Sequence, residues 1–479
     1  MCALNSSHNS DAALHGPYRI ERWGGGFLRL AEGGGLAVQW PAVAGGETTL
    51  HLADLLPLLR QQGVETPVLL RFPSILHARL AAFRQAFRRA LHRFDYPSEH
   101  APLYPIKVNP SATVIRTLLD APEPLAGLEV GSGGELRWAL GFLRAGQRLV
   151  INGVKDRAML EGVRQALAMG VRVCWVIERP RDVTLLRHGF TALPAALDLG
   201  LRLRLPIPAS AGKRPHAHFG MPLPTALKSV EVLKENGWLR ALRLLHGHVG
   251  SQVARLDDLR QGLESLMVGY ASLTEAGAPL GQLDLGGGVA VDTTGSDGPF
   301  SCTYDLDDYA DMVVGTVQRQ CRQAALQPPL LITESGRALT AHHGLLLTSV
   351  LDLEPESASM PGSKSELEPK RGAEQNDSLH HDETASTRIL ADLSLFASVP
   401  DAWALGQPFP IVPVAGFASD GAASVPVRIQ DATCDADGLF RAYVTAEGVA
   451  DRLLLPGPLP RLSDTTEGVQ PPVLAICLL

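Results

Sequence analysis

The strongest constraint on the fold is an alternation of short apolar runs with longer amphipathic segments across residues 101–334. This alternation predicts parallel strands joined by crossover helices, including helices over residues 156–169 and 256–276. The predicted strands begin near Pro102, Gly127, Arg148, Val171, Gly200, Leu242, Gln282 and Leu330. Because parallel strands in this number close on themselves, we predict an α/β fold built on a (β/α)8, TIM-like barrel.

Three further elements are predicted before the barrel. Residues 28–40 favour a β-hairpin around residues 32–35. Residues 68–72 favour a strand that leads into the barrel, and residues 75–94 favour a helix. One apolar stripe of this helix should face the core, and it comprises Leu80, Phe83, Phe87, Leu91 and Phe94. We assign residues 1–67 to an N-terminal segment that packs with the C-terminal β domain, and residues 68–343 to the barrel.

The chain after the barrel changes in composition. Residues 354–387 are rich in Ser, Glu, Lys, Pro and Asp, so we assign residues 344–388 to a polar flexible linker. Short β-type runs at 409–414, 425–429 and 440–445 then predict an all-β domain over residues 389–479. The apolar tail from Val473 onward is expected either to pair as an edge strand or to aggregate.

Composition narrows the class of ligand. The chain has 479 residues, 45% of them hydrophobic, and its net charge of -7 is spread along the sequence. Without a basic stripe, nucleic acid and anionic membranes are not expected partners, which favours a small-molecule substrate. No run approaches the roughly 18 apolar residues of a membrane span, and the polar start lacks a signal sequence. Six scattered cysteines argue against disulfides and structural zinc, so we predict a cytoplasmic protein with reduced thiols.

Chemically specific residues follow six of the predicted strands. In barrels of this kind the active residues lie at the carboxyl ends of the strands, where all of them face one mouth. Random polar loops would rarely supply this particular set. In strand order the set is Lys107, Glu129, Asn152, His248, the glycines Gly286, Gly287 and Gly288, and Glu334.

Lys107 ends the apolar run that begins at Tyr104, which is a rigid position for a lysine that forms a Schiff base with an aldehyde cofactor. Alone, the six residues from Tyr104 to Asn109 also suit a surface lysine after a strand. Pyridoxal 5'-phosphate further needs a carboxylate for its ring nitrogen and donors for its phosphate. Glu334 can supply that carboxylate and so make the ring an electron sink, which favours the cofactor interpretation.

The phosphate group has several candidate partners. The run Gly286, Gly287, Gly288 lets backbone N–H groups approach a phosphate, although a tight turn has the same composition. Arg337, after Gly336, offers a guanidinium for bidentate binding, although a surface ion pair is the alternative. Ser251 can add a hydrogen bond.

Three histidines are candidate ligands. His248 could stack on the cofactor ring, and its alternative is a hydrogen-bonded histidine at a strand end. His342 and His343 suggest a metal, but adjacent histidines point in different directions and no acid or cysteine falls at ligand spacing. We therefore predict no metal site.

The β domain carries one further candidate, the thiol of Cys434. Neighbouring carboxylates disfavour a standing thiolate, so this thiol suits a proton donor better than a nucleophile. A buried cysteine before an Asp-Gly turn is the alternative. Asp435 and Asp437 could bind a cationic substrate, or could only shape that turn.

At these residues the chain resembles the biosynthetic arginine decarboxylases, a branch of the alanine-racemase-like fold group III of pyridoxal phosphate enzymes. The Glu-Ser-Gly-Arg-Ala form, the double histidine and the Pro-Asp-Ala-Trp run favour this branch over decarboxylases of ornithine or diaminopimelate. The resemblance extends from Tyr18 to about Leu479 and rests on residues 104–109, 127–132, 152–156, 248–252, 284–292, 334–343, 400–403 and 433–435.

The resemblance implies a reaction and an assembly. Lys107 would carry the cofactor, with Glu129 among its binding residues. Arginine would lose carbon dioxide, and Cys434 would return a proton to give agmatine for putrescine and spermidine synthesis. A head-to-tail homodimer, or a higher oligomer of such dimers, would let Cys434 and Asp435 complete the partner's site. Magnesium is implied by the resemblance only.

Departures from the family pattern keep two alternatives open. The polar segment 354–387 replaces a long helical insertion, and the sequence stops at Leu479, where relatives continue into a Gly-Ala-Tyr segment, so we expect a shortened β domain. His218 stands where relatives have a lysine, and Gly133-Gly134 replaces a bulkier pair. The alternatives are a non-catalytic homologue that pairs with or regulates an active decarboxylase, and a decarboxylase of another basic amino acid. Retention of Cys434 favours the enzyme.

Overall fold

The structure is a computed structural model, and it describes residues 18–31, 35–42, 46–206, 219–296, 300–355, 386–415, 424–435, 437–457, 459 and 471–478. The chain divides into two compact units. The barrel unit comprises Phe72–Asp292 and Asp297–His343, and the β unit comprises Met1–Arg71, Thr293–Ser296 and Gly344–Leu478. Within the described residues no helix is long and apolar enough to cross a membrane.

The N-terminal part of the β unit is a three-stranded antiparallel sheet with two helices. The predicted hairpin at residues 28–40 is present as β1 paired with β2, and its tip at 32–34 lies outside the described residues. β2 also pairs with β3. The elements are α1 (Ile20–Trp23), β1 (Leu28–Leu30), β2 (Leu36–Pro41), β3 (Glu47–His51), α2 (Leu52–Gln61) and β4 (Val68–Arg71).

Eight strands form the predicted closed barrel, and every neighbouring pair is parallel. The strands are β5 (His100–Pro105), β6 (Gly127–Val130), β7 (Arg148–Ile151), β8 (Arg172–Ile177), β9 (Leu197–Leu203), β10 (Leu242–Gly247), β11 (Gln282–Asp284) and β12 (Leu330–Thr333). The barrel closes between β12 and β5. The prediction of a TIM-like barrel is therefore confirmed.

Helices connect these strands, as the amphipathic segments predict. They are α3 (Pro73–Arg93), α4 (Ala112–Leu119), α5 (Gly133–Leu140), α6 (Arg157–Ala168), α7 (Pro180–Gly189), α8 (Leu223–Glu235), a 3-10 turn (Leu239–Ala241), α9 (Leu256–Glu275), α10 (Leu306–Gln323) and α11 (Gly336–Thr340). Asp156 caps α6 by accepting a hydrogen bond from the Met159 N–H at 3.0 Å. The predicted stripe of α3 is confirmed, since Leu80, Phe83 and Phe87 are buried in the core.

The barrel interior is filled with apolar side chains, as is usual for this architecture. These side chains form a separate cluster whose buried members are Ala101, Leu103, Val150, Cys174, Val176, Leu244 and Ile332. The polar residues at the strand ends therefore lie over a packed apolar layer rather than over a pore.

The second part of the β unit is a seven-stranded sheet with the order β15-β20-β13-β14-β16-β19, and β4 pairs with β13. β17 and β18 form a separate two-stranded sheet. The elements are β13 (Gly344–Pro355), β14 (Thr387–Ala391), α12 (Leu395–Ser398), α13 (Pro400–Leu405), β15 (Ile411–Ala415), β16 (Ser424–Asp431), β17 (Tyr443–Thr445), β18 (Gly448–Ala450), β19 (Leu453–Pro456) and β20 (Val473–Leu478).

Two boundaries and the position of the C-terminal strand differ from the sequence predictions. β4 pairs with β13 instead of leading into the barrel, so the barrel unit starts at Phe72 and not at residue 68. The linker does not start at residue 344, because Gly344–Pro355 forms β13 and hydrogen-bonds to β20, β4 and β14. The tail is not an edge strand, because β20 pairs with β13 on one side and β15 on the other. Most of the predicted linker, residues 356–385, lies outside the described residues.

Candidate active site

Lys107 and Glu129 meet at the ends of the first two barrel strands. Lys107 lies in the turn after β5, and the Ile106 N–H donates to the Glu129 carbonyl at 3.2 Å, which fixes this turn against β6. The Lys107 Nζ donates to Glu129 Oε2 at 2.5 Å. The Lys107 side chain is 47% exposed, whereas the Glu129 side chain is buried at 1%. The amine is thus held by a buried carboxylate but remains open to a ligand.

The charges around Lys107 favour its ammonium form. Burial by itself would lower the pKa of Lys107, but the carboxylates of Glu129 and Glu334 outweigh it and hold the pKa above its usual value. Burial, and then the charge of Glu334, raise the pKa of Glu129, while Lys107 opposes this shift. The amine must lose its proton before it can act as a nucleophile, so Glu129 holds it in its unreactive form.

Asn152, after β7, connects the two carboxylates. Its Nδ2 donates to Glu129 Oε1 at 3.0 Å and to Glu334 Oε1 at 2.9 Å. Its Oδ1 is buried and has no hydrogen-bond partner among the described residues. The amide therefore fixes both acids and leaves one acceptor directed into the site.

Glu334, after β12, has two further buried neighbours that the sequence analysis did not select. His246 Nε2 lies 3.4 Å from Glu334 Oε2, and burial lowers the pKa of His246 well below its usual value. Burial and the charge of Glu334 raise the pKa of Asp284 well above its usual range. The ligand atoms of His246, Asp284 and Glu334 lie within 4.8 Å of one another, so this trio has the geometry of a cation site. The sequence signal that could have identified His246 and Asp284 is a polar residue next to the apolar residues of a predicted strand.

The glycine run after β11 lies where three strand ends converge, and it has no room for side chains. A Cβ on Gly287 would lie 2.7 Å from the Glu334 carbonyl oxygen, and a Cβ on Gly288 would lie 2.8 Å from the Gly250 carbonyl oxygen. A Cβ on Gly286 would lie 3.0 Å from the His248 ring. The backbone itself therefore lines this part of the mouth, and its contact with a phosphate stays a prediction.

His248 is oriented by its own turn. Its Nδ1 accepts a hydrogen bond from the Gly250 N–H at 3.2 Å. Burial, and then the charge of Arg202, lower the pKa of His248 to about 3. The ring is therefore neutral at physiological pH, which suits stacking on a planar ligand better than donating a proton.

Glu178 and Arg202 come from the fourth and fifth strands, for which the sequence analysis named no residue. Glu178 Oε1 accepts from Arg202 Nη1 at 2.9 Å and from the Gly153 N–H at 2.5 Å. The Gly220 N–H donates to Glu178 Oε2 at 3.3 Å. This buried ion pair ties the loops after β7 and β9 together. Glu178 directly follows the apolar run of β8, and that position was the signal that could have found it, whereas Arg202 lies within β9.

Lys155 is a second amine near the mouth, and unlike Lys107 it is buried. Its Nζ donates to the Gly153 carbonyl at 2.8 Å and lies 5.6 Å from the Trp175 ring centroid. Burial lowers the pKa of Lys155 to about 8. The site thus contains two lysines whose pKa values are shifted in opposite directions, upward for Lys107 and downward for Lys155.

The remaining predicted phosphate ligands lie near the first and sixth strands. A Cβ on Gly336 would lie 2.6 Å from Val108, so this glycine lets α11 pack against the turn that carries Lys107. Arg337 is half-buried in α11, and Ser251 is exposed in the bend after His248. Their roles stay predictions. His343 Nδ1 lies 2.5 Å from the Thr340 carbonyl oxygen, a contact within its own turn.

The Cys434 turn belongs to the β unit. Cys434 is exposed at its tip, and Asp435 Oδ1 accepts from the Asp437 N–H at 2.9 Å. Asp437 Oδ1 also accepts from Arg441 at 2.9 Å. Both acids therefore shape the turn, and their contact with a substrate stays a prediction.

Comparisons with known proteins give a consistent result. The family described as "Pyridoxal-dependent decarboxylase, pyridoxal binding domain" matches residues 80–341. The biosynthetic arginine decarboxylase of Pseudomonas aeruginosa is 31% identical over 92% of this chain and 80% of that protein. The corresponding protein of Aeromonas hydrophila is 32% identical over 92% of this chain and 81% of that protein. The crystal structure of biosynthetic arginine decarboxylase SpeA from Campylobacter jejuni superposes with a TM-score of 0.77 at 24% identity, covering 96% of this chain and 83% of that one.

Proposed function

This chain belongs to the biosynthetic arginine decarboxylases within the pyridoxal-dependent decarboxylase family, and on that premise we propose that it converts L-arginine to agmatine and carbon dioxide. Agmatine is a diamine precursor, so the reaction would start polyamine synthesis. One observation carries the proposal: Lys107 Nζ lies 2.5 Å from Glu129, and Asn152 joins Glu129 to Glu334 across the mouth of the barrel.

The residues at the mouth fit pyridoxal phosphate. Lys107 would hold its aldehyde carbon covalently, and Glu334 would hold the proton on its ring nitrogen. The orphaned Asn152 Oδ1 offers an acceptor inside the site. The glycine run packs against neighbouring carbonyl oxygens and leaves no room for side chains, and its backbone would receive the phosphate together with Arg337 and Ser251. His248, neutral and half-buried, would lie against the ring.

The protein side chains move two protons. Glu129 holds the Lys107 ammonium in place until its proton passes to solvent, and the free amine then exchanges with the substrate amine. When bound, pyridoxal phosphate supplies an electron sink for the pair released at the α-carbon. The bond between the α-carbon and the carboxylate breaks, and carbon dioxide leaves. Cys434 then gives its S–H proton to the α-carbon, and solvent reprotonates the thiolate.

The β unit enters the proposal through an assembly. We propose a head-to-tail homodimer in which Cys434 and Asp435 act in the site of the partner subunit. Exposure of Cys434 at the tip of its turn supports this assignment. A cytoplasmic location remains a proposal, supported by cysteines that are free thiols in the described part of the chain. We assign the trio His246, Asp284 and Glu334 to the cofactor ring rather than to magnesium, because Glu334 already faces Asn152 and Lys107.

The test is a product assay on the purified chain. It should release carbon dioxide and agmatine from L-arginine in the presence of pyridoxal phosphate, with ornithine, lysine and diaminopimelate run in parallel. Lys107→Ala should abolish turnover, whereas Lys234→Ala, an exposed lysine on α8, should not change it. Activity that survives Lys107→Ala would refute the assignment, and no product from any substrate would favour a non-catalytic role.

A further inference from the structure

Asp431 is a buried acid in the β unit to which the reaction assigns no role. It is the last residue of β16, and its exposed fraction is 0%. Its Oδ1 accepts from the Thr433 N–H at 3.1 Å and from the Thr433 hydroxyl at 2.6 Å. Its Oδ2 accepts from the Leu395 N–H at 2.7 Å. Both oxygens therefore act as acceptors, and they connect two separate loops.

The same residue closes the turn that carries Cys434. The Asp431 N–H donates to the Gly438 carbonyl at 2.7 Å, and the Ala432 N–H donates to the Leu393 carbonyl at 3.1 Å. A Cβ on Gly438 would lie 2.1 Å from Asp431 Oδ1, so a glycine is needed where the turn returns past the carboxylate. Cys434 thus projects from a turn that is fixed at its base and along one side.

An aspartate side chain fits this arrangement better than an asparagine side chain. Three donors point at its two oxygens, and an amide at the same position would direct an N–H group at another donor. Burying a carboxylate is costly unless hydrogen bonds compensate for the lost water, and these three bonds do so. An ordinary turn could be closed by Asp or Asn through local bonds alone. The bond to Leu395 goes further, because it anchors the turn to the start of α12.

We propose that Asp431 is a positioning residue that holds the Cys434 thiol in place for proton transfer to the substrate α-carbon. The proposal rests on the proposed function, in which Cys434 is the proton donor. If the turn were released, the proton would go to the aldehyde carbon of the cofactor instead of the substrate α-carbon. Hydrolysis would then give a guanidino aldehyde, the amino group would stay on the cofactor, and each such event would consume one molecule of pyridoxal phosphate.

The ratio of aldehyde to agmatine separates positioning from stability. A residue that only stabilises the fold changes the amount of active protein, but both products come from the same folded molecules. A displaced donor changes the ratio itself. Because a misplacement of 1 Å can cost about 100-fold in rate, we expect Asp431→Asn to raise the ratio by about 10- to 100-fold.

The experiment compares wild type, Asp431→Asn, Cys434→Ser and the double variant, each loaded with pyridoxal phosphate and supplied with L-arginine. Asp451→Asn is the matched control, since Asp451 is an exposed acid of the same unit that pairs with Arg428 at 3.4 Å. Positioning predicts that Asp431→Asn raises the ratio, that the double variant does not exceed Cys434→Ser, and that the control matches wild type. Effects of the two substitutions that multiply would overturn the proposal.

A second measurement needs no turnover. Amide hydrogen exchange on the protein without cofactor should show faster exchange at Leu395 and Thr433 in Asp431→Asn, with barrel peptides unchanged. Unchanged exchange at these two amides would show that the carboxylate does not anchor the turn, and the proposal would fail. If Cys434→Ser leaves the product ratio unchanged, the donor assignment fails and this proposal fails with it. If Cys434→Ser shifts the ratio and Asp431→Asn does not, only the positioning role is lost.

Discussion

Replacing Glu129 with glutamine should speed the covalent capture of pyridoxal phosphate by Lys107 near neutral pH. Glu129 is the main group that holds the pKa of Lys107 above its usual value against the opposing effect of burial. The ammonium form cannot attack an aldehyde, so wild-type capture is limited by the small fraction of free amine. Glutamine keeps an acceptor for Asn152 and can donate its amide N–H to a neutral Lys107.

The magnitude follows from the contact. An opposite charge at hydrogen-bond distance shifts a pKa by about 1–3 units. The Lys107 side chain is 47% exposed, and solvent screening weakens such an ion pair. The lower end of this range of pKa shifts therefore applies. A decrease of about one unit gives about tenfold more free amine, and so about tenfold faster capture, at any pH below the pKa of the lysine.

The assay mixes cofactor-free protein with saturating pyridoxal phosphate at several pH values and follows the cofactor absorbance on covalent capture. Saturation makes the rate independent of any change in cofactor affinity. Glu135→Gln is the matched control, because Glu135 makes the weakest contribution to the Lys107 pKa and its bond to the Gly131 N–H can be kept. Capture that is unchanged or slower in Glu129→Gln, or equally fast in the control, would refute the reasoning.

Three further predictions concern stability. Burial lowers the pKa of His248 in the folded protein to about 3, below its ordinary value of about 6.5 in the unfolded chain. As pH falls from about 6.5 towards 3, the unfolded chain alone takes up the proton, so the free energy of unfolding should decrease by about 1.4 kcal/mol per pH unit. Urea titrations should show a shallower pH dependence in His248→Gln, and equal slopes would contradict this. Gly287→Ala should lower the stability by about 1–3 kcal/mol, because the new Cβ would lie 2.7 Å from the Glu334 carbonyl oxygen, and an unchanged Tm would exclude that clash. Leu474→Ala, at 0% exposure in β20, should cost about 2–5 kcal/mol, and Leu454→Ala, at 41% exposure in β19, should cost clearly less by the same denaturation assay.

The sequence predicted the barrel and much of its mouth because both depend on local signals. Each barrel strand is a short apolar run with its own boundaries, and closure follows from their number. Barrel geometry then brings together the residues that end those runs, so Lys107, Glu129, Asn152 and Glu334 meet although they are far apart in the chain. No three-dimensional information was needed for that step.

The errors and omissions involve partners that are distant in sequence. An apolar run predicts a strand but does not say which strand it pairs with, so β4 was placed at the entrance of the barrel and β20 at an edge. Glu178 and Arg202 look like surface residues in the sequence. Their ion pair is evident only in the folded structure, where β8 and β9 lie side by side and the two side chains are buried against each other. Asp284 and His246 were missed for the same reason, since their proximity to Glu334 appears only when β10, β11 and β12 lie side by side.

The most direct test of the central claim is to find which lysine carries the cofactor. The site has two amines: Lys107, paired with Glu129, and the buried Lys155, whose pKa is lowered to about 8 and which is therefore more easily deprotonated. Borohydride reduction of the loaded protein, followed by peptide mapping, fixes the label at the lysine that holds it. Our account predicts the label on Lys107 alone, with agmatine formation lost in step with labelling. A label on Lys155 would contradict it.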